Sequence, residues 1–119
     1  MERIVFQKLI EWKDSTNRKP LILNGARQVG KTWLLEQLGD RYFDKVAYLV
    51  CRKNQALKYV FSQDFDTDRI LRALRALSGV DITPGDTLIV LDEVQDIPEA
   101  IESLKYFCED APEYHVAVA

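Results

Sequence analysis

The sequence predicts an α/β fold built on a mainly parallel sheet, and three observations carry that prediction. Short apolar runs at 21–23, 46–51, 87–91 and 114–119 alternate with amphipathic stretches, and parallel neighbours need helical crossovers between them. The first run leads into Gly25, Gly30, Lys31 and Thr32 at the spacing G-x-x-x-x-G-K-T. The third run, LIVL, ends in the acid pair Asp92-Glu93.

Each element has a local reason. Residues 2–13 read as an amphipathic helix, with Val5, Leu9 and Trp12 on one face and Phe6 and Ile10 beside them. A polar connector, 14–19, precedes the strand LIL, 21–23, which Pro20 introduces and Asn24-Gly25 closes. The next helix begins at about Lys31 and buries Leu34, Leu35 and Leu38, with Gly39 expected as its C-terminal stop. VAYLVC, 46–51, is the second strand, and QALKYVF, 55–61, suits a short helix. In DTDRILRALRALSG, 66–79, Ile70, Leu74 and Leu77 line up behind an Asp or Thr N-cap. Pro84-Gly85 centres a turn before the buried strand 87–91. A helix over 98–109 starts at Pro98 and is expected to bury Ile101, Leu104 and Phe107 before the last strand, 114–119.

Composition narrows the function classes. At 119 residues the chain is at most one domain, and 47% hydrophobic with 29% charged residues suits a folded core. A net charge of −3 gives no basic field, so charge does not support nucleic acid as a partner. No apolar run approaches the roughly 20 residues that span a bilayer, and the N-terminus lacks a signal core. A cytoplasmic protein is expected. Cys51 and Cys108 belong to no C-x-x-C pair and read as reduced core thiols.

The glycine-bounded loop has a chemical logic. Backbone N–H groups that wrap a phosphate require a tight bend and a close approach, which Gly25 and Gly30 permit. Lys31 supplies a cation for the β- and γ-phosphates, Thr32 offers a hydroxyl to Mg²⁺, and the following helix adds its N-terminal dipole. Residues 25–33 (Gly25, Ala26, Arg27, Gln28, Val29, Gly30, Lys31, Thr32 and Trp33) are the expected nucleotide-binding segment. An apolar strand ending in an acid completes such a site. Asp92 is expected to hold Mg²⁺ with Thr32, and Glu93 to polarise an attacking water, so Glu93 and Lys31 are the catalytic candidates. A Glu beside the metal-binding Asp favours hydrolysis over transfer to a bound acceptor.

RKPLILNGARQVGKTWLLEQL, LIVLDEVQDIPEAIESLKYF and YHVAVA together resemble a large prokaryotic family of ATP-binding proteins of the AAA superfamily, over nearly the whole chain. The resemblance implies a P-loop NTPase three-layer fold, with Walker A and Walker B motifs at the loop and at Asp92-Glu93. It implies ATP and Mg²⁺ as ligands. It also implies a sheet in which the loop's strand lies beside strand 114–119, then the Asp92 strand, then strand 46–51. Family members continue into a polar sensor residue, a further strand, a helical lid and often a C-terminal domain of unknown function. The 119 residues are therefore expected to be the N-terminal part of a member: a single incomplete domain, truncated after the fourth strand, that a missing C-terminal domain or a neighbouring subunit would complete.

Several residues keep two readings. Arg27 either meets a neighbouring subunit or projects into water, the second being favoured. Gln95 either senses the γ-phosphate or only begins the next turn. Arg69, Arg72 and Arg75 form a stripe that reads as a solvated helix face in preference to a nucleic-acid contact. His115 reads as a strand residue near the surface. Three functions compete: an ATPase, a nucleotide-dependent switch without turnover, and a helicase fragment. The helicase reading is weakened because only about sixty residues separate Lys31 from Asp92.

Overall fold

A computed structural model of the chain describes residues 8, 10–14, 20–22 and 29–119. Within them lie four strands: β1 (Leu21–Ile22), β2 (Lys45–Val50), β3 (Thr87–Asp92) and β4 (His115–Val118). They alternate with helices α1 (Val29–Tyr42), α2 (Gln55–Gln63), α3 (Thr67–Ser78) and α4 (Pro98–Asp110), and a short 3₁₀ turn, Val94–Asp96, follows β3. Residues 8 and 10–14 are helical, and the rest of the helix expected over 2–13 lies outside the described residues, as do the connector 15–19 and Leu23. Among the described residues, no helix is long and apolar enough to cross a membrane.

All strand pairs are parallel, in the order β1-β4-β3-β2. This is the order that the family resemblance implies. Both sheet faces are covered, as a parallel sheet requires. On one face Leu88 and Val90 of β3 and Ala117 of β4 pack against Leu35 and Leu38 of α1. On the other, Ile89, Leu91, Val116 and Val118 meet α2, α3 and α4 through Leu57, Phe61, Ile70, Leu74, Leu104 and Phe107. The three layers are helix, sheet and helices.

Helix ends follow the sequence closely in α2 and α3. Asn54 caps α2 by accepting from the Leu57 N–H at 3.0 Å. Asp66 caps α3, and the chain leaves that helix through Gly79 at φ 71°, a left-handed conformation that glycine adopts without a Cβ clash. Past that reversal Val80 and Ile82 turn inward, so the core position expected of Leu77 passes to them. Leu77 itself is 43% exposed.

Gly39 does not stop its helix. α1 runs through it to Tyr42, and a Cβ at Gly39 would lie 2.2 Å from Val46 Cγ2 on β2. The glycine is there for close helix–strand approach. Leu34, expected in the core, is only half-buried, while Leu35 and Leu38 are fully enclosed. In α4 the buried stripe is Ala100, Ser103, Leu104 and Phe107, which leaves Ile101 43% exposed. Ser103 can occupy that stripe because its hydroxyl donates to the Ala100 carbonyl at 2.6 Å.

Two further expectations are corrected by packing. His115 is 4% exposed, not near the surface. Its ring meets Trp12 and Phe43 edge-on at centroid distances of 5.5 and 4.9 Å, and its Nε2–H donates to the Lys13 carbonyl at 3.0 Å. The arginine stripe is not a solvated face throughout. Arg69 donates to the Asp64 carboxylate at 2.8 Å and to the Val60 carbonyl at 2.7 Å. Arg75 donates to the Ile82 carbonyl at 3.0 Å and the Tyr114 hydroxyl at 3.2 Å, and only Arg72 is exposed. Two arginines are committed to bonds that join separate segments of the fold.

Two consequences can be measured by urea unfolding. Gly39→Ala should destabilise the chain by about 1–3 kcal/mol through overpacking, despite alanine's better helix propensity, and Val46→Ala should restore part of the loss. Arg75→Ala should cost about 1–3 kcal/mol by stripping partners from part-buried groups, whereas Arg72→Ala should stay within about 0.5 kcal/mol.

Candidate functional site

The chain passes from the carboxyl end of β1 at Ile22 to the first turn of α1 at Val29. Gly25, Ala26, Arg27 and Gln28 lie in that connection, outside the described residues. The backbone of Val29, Gly30, Lys31 and Thr32 forms the first turn of α1. The two-residue Gly30-Lys31 step thus opens a helix, where unpaired N–H groups and the helix dipole favour an anion. Trp33, expected in the nucleotide-binding segment, has its side chain 46% exposed.

Sheet register locates the acid pair relative to this turn. Ile22 pairs with Val118 and Val118 with Leu91, so the ends of β1, β4 and β3 lie level. Asp92 is the next residue of β3 and Ala119 the next beyond β4, with the Ala119 N–H donating to the Leu91 carbonyl at 3.0 Å. One strand, β4, separates β1 from β3, a lateral distance of about 10 Å at the usual strand spacing. Strand alternation puts Asp92 on the face of Leu88 and Val90, the face that α1 covers. The acid and the helix that follows the loop are therefore on one side of the sheet, at its carboxyl edge. In open α/β sheets that edge is where ligands sit.

Asp92 is half-buried and held at both oxygens. Its Oδ1 accepts from the Glu93 N–H at 2.9 Å, and its Oδ2 accepts from the Tyr48 hydroxyl. Glu93 has φ 54° and ψ 44°, a left-handed conformation uncommon for a side chain with a Cβ. The turn is pinned on each side: the Val94 N–H donates to the Ala119 carbonyl at 3.0 Å and the Asp96 N–H to the Glu93 carbonyl at 3.1 Å. The Gln95 amide donates to Glu93 Oε2 at 2.5 Å. Gln95 does sit in the turn after the acids, and its side chain engages Glu93, a partnership the sequence reading did not include.

The acids act on one neighbour. Cys51, 1% exposed, donates its backbone N–H to the Asp92 carbonyl at 2.8 Å. Burial first, then the charges of Asp92, Asp96 and Glu93, push its thiol up to about 12. Cys51 is a protonated core thiol and a poor nucleophile. Cys108 is half-buried and also free. With thiol reagents at pH 8, Cys108 should label in the native protein and Cys51 only on unfolding, which mass spectrometry of peptides would resolve.

Among the described residues no three His, Cys, Asp or Glu side chains gather into a metal cage. The donor set at Asp92 is one carboxylate on the face of the sheet that α1 covers. That chemistry fits Mg²⁺, which keeps several waters and takes its remaining ligands from substrate phosphates and one or two protein oxygens. Sequence reasoning missed Tyr48 and Cys51. The alternation in VAYLVC puts Tyr48 and Cys51 on opposite faces, but only the pairing of β2 with β3, which sets Val50 opposite Asp92, brings the Tyr48 hydroxyl and the Cys51 N–H to that residue.

Comparison with known proteins agrees with this architecture. No curated protein and no solved structure matches the chain. A family model described as an AAA domain matches residues 17–119, a span that takes in the loop, all four strands and the acid pair. By that match, and with a four-stranded parallel sheet of the expected order, this chain is a nucleotide-binding AAA-type module and belongs to the AAA domain family.

Proposed function

We propose that the module binds ATP with Mg²⁺ and hydrolyses it. The observation that carries this reading is Asp92: a carboxylate held at both oxygens, at the carboxyl edge of the sheet, on the face covered by the helix that follows Gly30-Lys31-Thr32. In this reading residues 25–33 cradle the phosphates, and Lys31 neutralises the β- and γ-phosphates. Thr32 and Asp92 hold the ion, Asp92 through a coordinated water. Mg²⁺ when bound offsets negative charge as the γ-phosphoryl group transfers. Glu93 orients and polarises the attacking water, its place set by the pinned turn at Val94 and Asp96. A further domain or a neighbouring subunit completes the site, and a cytoplasmic location goes with this function.

One observation favours a second reading, a nucleotide-dependent switch with negligible turnover. The Gln95 amide engages the Glu93 carboxylate, and a carboxylate so occupied is less free to polarise water.

A fluorescent ATP analogue tests the site, and phosphate release separates the two readings. Lys31→Ala should abolish analogue binding, and unchanged affinity would overturn the assignment. Phosphate release that falls by at least about 100-fold in Glu93→Gln supports hydrolysis. Tight binding without release in the unaltered chain supports the switch.

A further inference from the structure

The hydroxyl of Tyr48 has a place that its strand position alone does not explain. Tyr48 pairs with Val90, not with Asp92; the residue opposite Asp92 is Val50. The side chains of Tyr48, Val90 and Asp92 share the α1 face. The phenol therefore runs along the sheet by one same-face step, from the Val90 row to the Asp92 row, and its hydroxyl donates to Asp92 Oδ2. The ring packs with the cluster formed by Leu35, Leu38, Leu88 and Val90, so the donor stands on a fixed, apolar support.

With Oδ1 occupied by the Glu93 N–H, the Tyr48 bond settles the second degree of freedom of the carboxylate, its rotation about the Cβ–Cγ bond. A carboxylate with only one of these bonds keeps that rotation and must lose it when a cation binds. Each carboxylate oxygen has two lone-pair directions, so Oδ2 can accept from Tyr48 and still face a metal-bound water.

We infer that Tyr48 is the positioning residue of the cation half of this site: its hydroxyl orients Asp92 toward Mg²⁺ and is needed for metal-coupled nucleotide binding, not for nucleotide binding as such. The inference rests on the Mg-ATP reading above. Residues that orient a direct metal ligand typically contribute 10–100-fold in metal affinity, and because Asp92 acts through a coordinated water the effect of Tyr48 is placed at the lower end of that range.

Tyr48→Phe removes one oxygen and keeps the ring in its cluster. Fluorescent ATP-analogue affinity is measured for the 119-residue chain and this variant over a Mg²⁺ titration and again in EDTA, with metal-free melting curves for both. The expected result is a Mg²⁺ midpoint raised by about 10-fold, with metal-free affinity unchanged and metal-free melting lowered only by the loss of one hydrogen bond. The same substitution in an Asp92→Asn background should shift the midpoint no further, because Tyr48 acts through that carboxylate. A midpoint in Tyr48→Phe that is unchanged or lowered overturns the inference while leaving the Mg-ATP reading intact. A loss of metal-free affinity equal to the loss with metal also overturns it, since the hydroxyl would then serve the fold of the site and not its cation. Nucleotide binding by the unaltered chain that ignores Mg²⁺ overturns both.

Discussion

Strand β3 is the constraint on which the structure depends. It is paired along its whole length with β2, from Lys45↔Thr87 to Val50↔Asp92, and with β4 from Leu88↔His115 to Leu91↔Val118. Leu88, Ile89, Val90 and Leu91 are fully enclosed. A strand buried on both faces tolerates no slip, because a one-residue shift would exchange the side chains presented to α1 and to the helices opposite. It would also carry Asp92 from the α1 face to the other. The same contacts that make the core thus decide which side of the sheet the acid serves.

At the end of β3 the hydrophobic constraint gives way to a polar one. Asp92, Glu93 and Asp96 stand within five sequence positions of Leu91, and the backbone turns through a left-handed Glu93. Hydrogen bonds to Ala119, to the Asp92 carboxylate and from Gln95 hold that turn. A strained residue persists where its surroundings over-determine it. Here the surroundings come from β4, β2 and the turn itself, so the geometry of the acids is a property of the assembled sheet. The Cys51 thiol registers the resulting field, since three nearby carboxylates add to burial in keeping it protonated.

Much of the fold was legible because its signals are local. Asp66 and Gly79 bound α3, Pro98 opens α4, and TLIVLD is too continuously apolar for anything but an interior strand. The misreadings share a cause: each assigned a side chain by its own hydropathy where a neighbour decided. Gly39 looked like a helix stop, yet Val46 on another element requires its missing Cβ. Ile101 looked like core, yet Ala100 and Ser103 let α4 approach on a different stripe. Arg75 looked solvated, yet Ile82 and Tyr114 return to it from elsewhere in the chain. His115 looked superficial until Trp12 and Phe43 closed around it.

By itself the sequence determined the kinds of chemistry available and the elements that carry them: a glycine-bounded loop opening a helix, an acid pair ending a strand, and the α/β alternation that makes the strands parallel. These follow from spacing, backbone permissiveness and periodicity within a few residues, so no other part of the chain is needed to read them. Only the tertiary structure decided that Asp92 faces α1, that Tyr48 reaches its carboxylate from the next strand, and that the Ala119 carbonyl pins the turn after the left-handed Glu93. Those facts depend on inter-strand register and side-chain packing between residues as many as 44 positions apart, which no local pattern encodes.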